Sequence, residues 1–194
     1  MARLFVALWP GPAVRMRLGA LASEWPWSGG ALRVGEAGLH MTLHFLGHVS
    51  RHRLKLVAEG LVVPMQPFDL LLDRAEVWRN GVAILAPSEI PAGLHALQRS
   101  LTDALRPLGL VPEARAFRPH VTLARHAEGS LPPQDFAPVR WPVSSYELVE
   151  SPVQDSTVGY RHLRHYAAHP SLRVQESQPT DFSIEQFQSG PVPL

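Results

Sequence analysis

One tetrapeptide pattern occurs twice in this chain: His40-Met41-Thr42-Leu43 and His120-Val121-Thr122-Leu123, 80 residues apart. For 10 histidines and 5 threonines in 194 residues, chance supplies about 0.05 copies of a His–apolar–Thr–apolar run. Each copy lies in an apolar stretch with strand character. In a strand, residues i and i+2 face the same way, roughly 7 Å apart. His40 and Thr42 therefore share one face, as do His120 and Thr122. Strict alternation turns Met41, Leu43 and Phe45, and likewise Val121 and Leu123, into the core. If the two strands lie together about a pseudo-twofold axis, two imidazoles and two hydroxyls converge on one cleft.

The rest of the chain is consistent with such a frame. Arg3–Trp9 reads as a buried strand, broken by Pro10-Gly11-Pro12, and Pro12 suits the first turn of a helix running to about Ala22. Residues 23–38, with Trp25-Pro26-Trp27 and four glycines, read as irregular. Leu39–Gly47 is the next strand, and Ser50 reads as the N-cap of a helix over Arg51–Leu61. Phe68–Val77 reads as a strand joined to Val82–Ala86 by the hairpin turn Asn80-Gly81. Leu94, Leu97, Leu101, Leu105 and Leu108 mark a helix from about Pro91 to Arg106. Phe117–Arg125, Val143–Val149 and Gly159–Ala167 complete the strands, the last two read as a pair, and residues 127–142 read as a proline-rich connection. Hairpin pairing favours an α+β fold over a doubly wound parallel sheet. The predicted domain spans 1–169, and 170–194 reads as a flexible tail.

Composition removes several classes of function. Apolar residues make up 45% and charged residues 18%, an ordinary globular balance. Cysteine is absent, so disulfides, thiolate metal sites and cysteine nucleophiles are excluded. The apolar run at Met1–Pro10 is too short for a signal peptide and no stretch is long enough for a membrane helix, which predicts a cytoplasmic chain with no membrane partner. No glycine-rich phosphate loop follows a strand, so dinucleotide and P-loop chemistry are not indicated. Formal net charge is +1, and Lys55 is the one lysine beside 17 arginines. Such a balance argues against long duplex binding and suits a short single-stranded end.

Two histidines and two hydroxyls are what in-line cleavage of a phosphodiester needs. With ordinary pKa values of about 6.5, one imidazole can take a proton while the other gives one. Threonine hydroxyls can donate to the non-bridging oxygens, where charge gathers in the transition state. No metal and no cofactor is called for. His40-Met41-Thr42-Leu43-His44 lacks the glutamate of the zinc-protease helix motif and stands in a strand. His162, His165 and His169 do not share a strand face, and with Arg161 and Arg164 they read as a basic rim.

At these residues the chain resembles the 2H phosphoesterases, and within them the bacterial RNA 2′,3′-cyclic phosphodiesterases, also called 2′-5′ RNA ligases. The resemblance runs from residue 2 to about 168. It rests on Arg3-Leu4-Phe5-Val6-Ala7, Leu39-His40-Met41-Thr42-Leu43-His44-Phe45-Leu46-Gly47, Phe68-Asp69-Leu70 and Phe117-Arg118-Pro119-His120-Val121-Thr122-Leu123-Ala124-Arg125. It departs at Arg33–Gly38, where the family often has a tryptophan and a proline-rich segment, and in the extra length after 170. The resemblance implies a bilobal α+β fold, two antiparallel sheets facing each other across the catalytic cleft, with the helices outside. It implies His40 as proton donor to the leaving ribose oxygen, His120 as the base on water, and a 2′-phosphomonoester product, with reversible 2′-5′ ligation as a further capacity. Arg125 matches the family arginine that holds phosphate.

Strict alternation points Arg125 away from His120, so the strand is expected to bend or end there. Arg118 is a candidate for an RNA phosphate. Phe45 and Phe5 are candidates for stacking on a base, although alternation sends Phe45 to the core. His44 reads as a strand histidine open to solvent or to the cleft. The expected partner is RNA with a 2′,3′-cyclic phosphate end or a small nucleotide, bound by a monomer. A small cyclic or 2′-5′ nucleotide as substrate, and a non-catalytic RNA-end-binding protein, remain as alternatives.

Overall fold

The computed structural model describes residues 1–151 and 159–168; the tail expected over 170–194 lies outside them. Among the described residues, ten strands and three α-helices follow in the order β1 (Ala2–Leu8), α1 (Pro12–Glu24), β2 (Leu32–Arg33), β3 (Met41–Val49), α2 (Leu54–Gly60), β4 (Phe68–Leu72), β5 (Arg74–Val77), β6 (Ala83–Ala86), α3 (Ala92–Leu105), β7 (Val121–Arg125), β8 (Val139–Val143), β9 (Ser145–Glu150) and β10 (Arg161–Ala167). The architecture is α+β with two antiparallel sheets. Eight strands form a large sheet in the order β10-β9-β1-β3-β7-β6-β5, with β2 also on β7, while β4 and β8 form a second sheet.

The repeat seen in the sequence is a repeat of structure. β1, α1 and β3 recur as β6, α3 and β7, each starting 80 or 81 residues later. In both units the two strands pair antiparallel. The units meet where β3 touches β7 at one position, Met41 opposite Val121. Those residues are equivalents, so residue pairs with counterpart as at a twofold axis. The expected lobes are thus the two halves of the large sheet, joined at this bridge.

Burial separates the two faces of that sheet. Leu4, Val6, Leu8, Met41, Val121 and Leu123 pack with Leu18 and Leu21 of α1 and Leu94, Leu97, Leu101 and Leu105 of α3 in one core. Complete burial of a leucine contributes about 1.5–3 kcal/mol, so this face holds the molecule together. The β4–β8 sheet joins the same core: β8 packs on α1, and a Cβ at Gly93 of α3 would fall 2.7 Å from Phe68. The opposite face carries two small apolar clusters, Phe5, Ala7 and Val149 with Trp9, and Val82, Ile84 and Ala86 with Trp78.

Several sequence expectations are corrected. Phe68–Val77 is two strands in different sheets, broken at Asp73, whose carboxylate accepts from the backbone N–H and hydroxyl of Ser88. The connection over 127–142 hides most of β8, and Val143–Val149 splits between β8 and β9. Pro142 fits because β8 has one partner, β4, and can leave an edge unpaired. Ser50 makes no side-chain cap; a 3₁₀ turn at Arg51–Arg53 leads into α2. The strand expected from Phe117 starts at Val121, and the loop 23–38 contains β2 and a 3₁₀ turn at Glu36–Gly38. The Asn80-Gly81 hairpin forms, with Gly81 at φ +71° and Trp78 N–H donating to the Val82 carbonyl at 2.9 Å.

Tyr146 ties β9 to the segment after α2. Its buried hydroxyl donates to the Leu61 carbonyl at 2.9 Å and accepts from the Val63 N–H at 3.0 Å. Tyr146→Phe leaves both backbone groups without this partner and is expected to cost about 1–3 kcal/mol. Urea unfolding checks this; an unchanged midpoint would show that the hydroxyl is not needed.

Candidate active site

A cleft of about 1110 Å³ opens on the face opposite the helices, lined from both halves by His40, Thr42, His120, Thr122 and Arg125. The Met41–Val121 pair explains the gathering. Antiparallel register places Thr122 across from His40 and Thr42 across from His120, all on the face opposite the bridging side chains.

Both imidazoles are held in the same way. His40 Nδ1 lies 2.7 Å from the Gly38 carbonyl, and His120 Nδ1 lies 2.6 Å from the Arg118 carbonyl. A carbonyl can only accept, so Nδ1 carries the proton in each ring. Nε2 is left for the cleft, as a lone pair in the neutral ring and as an N–H in the imidazolium. Burial holds both pKa values below their ordinary 6.5, partly opposed by the carbonyl bonds. His120, Arg125 and His162 depress His40 further, and Arg118, Arg115 and Arg125 do the same to His120. Thr42 and Thr122 are half-buried, and among the described residues neither hydroxyl has a protein hydrogen-bond partner.

Bulges decide what else faces the cleft. Ala7 pairs with Thr42 but Val6 with His44, so Leu43 is an extra residue in β3. In β7, Thr122 pairs with Ile84 but Ala124 with Ala83, which makes Leu123 extra. Each bulge flips the alternation. Arg125 therefore turns to the cleft, as the expected bend required. Phe45, its counterpart, turns the same way and is 41% exposed, which corrects its placement in the core. Phe5 lies beneath, 2% exposed, with its ring 6.2 Å from that of Phe45. His44 goes inward instead of standing open: it is 4% exposed, with Nε2 3.1 Å from the Gln98 carbonyl and 3.2 Å from the Thr102 hydroxyl on α3.

The profile of the 2′-5′ RNA ligase superfamily matches residues 21–151. The chain is also 33% identical to the RNA 2′,3′-cyclic phosphodiesterase of Escherichia coli K12 over 140 residues, 69% of this chain and 78% of that one. It belongs to the 2′-5′ RNA ligase superfamily. Its fold matches that of E. coli LigT complexed with 3′-AMP with a TM-score of 0.75 at 26% identity, covering 86% of this chain and 98% of that one. A solved phosphoesterase structure matches with a TM-score of 0.76 at 26% identity and the same coverage.

Within this superfamily fold, the sequence reading missed the aromatic walls. Trp9 stacks on His40, ring centroids 5.0 Å apart and 3° from parallel, and Tyr160 meets His40 edge-on at 5.1 Å. Trp78 lies 4.6 Å from His120, with the Arg118 guanidinium 4.5 Å over its ring. No local pattern marks these residues, because strand pairing and the β5–β6 hairpin bring them in. Arg118 thus stands in the wall with Trp78, 4.0 Å from Glu76. Among the described residues no group of three histidine or acidic side chains gathers to hold a metal ion, His162 and His165 included. No described helix is long and apolar enough to cross a membrane.

Burial lowers the pKa of His44, against the pull of its Gln98 bond and of Glu113. A histidine whose pKa is lowered by folding stabilises the fold above its unfolded value, near 6.5, and loses that contribution as pH falls through the folded value. The urea midpoint should therefore drop between pH 7 and 5, and drop less in His44→Asn. Parallel pH curves for the two proteins would contradict this placement of His44.

Proposed function

We propose that this chain hydrolyses 2′,3′-cyclic phosphate ends of RNA to 2′-phosphomonoesters, with His40 as acid and His120 as base. The observation that carries the reading is the pair of Nδ1-anchored imidazoles on equivalent strands, both offering Nε2 to a cleft that also holds Arg125. His120 Nε2 takes a proton from water as the water oxygen bonds to phosphorus. The bond from phosphorus to O3′ breaks, and His40 Nε2–H supplies the proton that makes the 3′-hydroxyl. The phosphate stays on O2′, so atoms and charge balance without a further reactant. Thr42 and Thr122 donate to the non-bridging oxygens, and Arg125 clamps the anion by paired N–H bonds. Phe45, open to solvent beside Phe5, offers a face to the terminal base, and Arg118 offers charge at the rim.

The relatives support this reading: the E. coli protein is named for the same reaction, and LigT has been crystallised with 3′-AMP. Attack by a 5′-hydroxyl in place of water would give a 2′-5′ linkage by the same proton transfers.

Incubation with a short RNA ending in 2′,3′-cyclic phosphate, in EDTA, should yield the 2′-phosphate by phosphorus NMR. His40→Ala and His120→Ala should each lower turnover by about 10²-fold or more, with the fold intact by circular dichroism. Arg125→Ala should raise KM for the same RNA. Full activity in both histidine variants would sink the assignment. Turnover of cyclic mononucleotides without turnover of RNA would move the substrate to a small nucleotide, and tight binding without turnover would make the chain an RNA-end binder.

A further inference from the structure

A frame with twofold symmetry supplies two chemically equivalent histidines, yet the reaction needs one to give a proton and the other to take one. The walls behind the rings break the tie. His40 lies flat on Trp9, and Phe5 adds a second ring at 5.0 Å. Trp9 is itself gripped by two edges, His162 at 4.4 Å and 80° and Tyr160 at 5.5 Å and 71°, and His162 Nδ1 is hydrogen-bonded to the Glu147 carboxylate. Among the described residues no guanidinium lies over Trp9. Its π face is open to a positive imidazolium, which such a face attracts.

Trp78 offers His120 the reverse. Its ring carries the Arg118 guanidinium at 4.5 Å, and its Nε1–H donates to Glu76 Oε2 at 3.0 Å. Glu76 is pinned by Arg74 at 2.9 Å. A permanent cation is thus fastened beside His120, with Arg115 and Arg125 also near. Arg115 is partly offset by Glu113 at 3.0 Å. A second positive charge on the imidazole there is disfavoured by Coulomb repulsion. The groups near His40 that carry or can take a positive charge are His120, Arg125 and His162, the last next to Glu147.

We propose that Trp9 and Trp78 are positioning residues that assign the proton roles: Trp9 holds the proton on His40, and Trp78 keeps His120 neutral by fastening Arg118 beside it. The kinetic consequence rests on the phosphodiesterase reading above; the protonation itself is a property of the free protein.

Histidine ring resonances of the full chain, titrated by NMR without substrate, read both sites separately. Trp9→Leu should lower the His40 midpoint by about 0.5–1.5 pH units, from the usual range of cation–π strength, and leave His120 in place. Trp9→Phe, which keeps a π face, should restore most of the His40 midpoint. Arg118→Gln keeps the carbonyl that holds His120 Nδ1 and removes an exposed side chain, so the fold should stand; it should raise the His120 midpoint and leave His40 in place. In kcat/KM on the cyclic-phosphate RNA, the high-pH limb should move down in Trp9→Leu and the low-pH limb up in Arg118→Gln. Unmoved midpoints, or a His40 midpoint that rises in Trp9→Leu, would overturn the proposal, as would an unmoved His120 in Arg118→Gln if Trp9→Leu fails to fold. A wild-type protein that never hydrolyses the RNA would overturn the phosphodiesterase reading, while the NMR midpoints would still decide this one.

Discussion

The single pairing of Met41 with Val121 is the constraint on which the rest of the molecule depends. Two buried apolar residues, equivalent in the repeat, meet at the seam between two β–α–β units. Their side chains go to the helical core, so the flanking residues must go to the other face. Those residues are His40, Thr42, His120 and Thr122. Core packing and site assembly are thus one event: the alternation that buries methionine and valine exposes two imidazoles to one cleft. A shift of register by one residue would exchange the faces and bury the histidines.

The frame is symmetric, yet its two halves do not present the same side chains to the cleft, and the bulges show why. Leu43 and Leu123 occupy the same place in their strands, and each flips the chain so that the next cleft-facing residue comes one position later than strict alternation gives. In the first unit that residue is Phe45 and in the second it is Arg125. One backbone device therefore supplies an apolar face on one side and a cation on the other. The residue preceding each is turned inward. Ala124 simply fills its place, while His44 reaches across to Gln98 and Thr102 on α3 and binds the first motif strand to the helix of the second unit.

Much of this was legible in the sequence, because period-2 alternation and a repeated tetrapeptide are local signals. The repeat, the Asn80-Gly81 hairpin, the leucine stripe of α3 and the antiparallel α+β character needed no tertiary information. Phe45 was misplaced because a bulge carries no side-chain signature; the extra residue is an ordinary leucine. Arg125 could be expected to break the alternation only because the family resemblance required its charge in the cleft. The β8 strand was hidden by Pro142, and the break at Asp73 depends on Ser88, 15 residues away. Trp9, Trp78 and Tyr160 stand just outside strand ends and come to the histidines through strand pairing and the β5–β6 hairpin, so reading along the chain could not find them.

The central claim is that one phosphate sits between the Nε2 atoms of two rings held by their Nδ1 protons. Nitrogen-15 NMR of the histidine rings during titration with a nucleoside 2′-phosphate tests it most directly. The account predicts that His40 and His120 Nε2 signals move together along one binding curve, while both Nδ1 atoms stay protonated and hydrogen-bonded. Movement of one ring without the other, or binding that leaves both Nε2 signals unchanged, would contradict it.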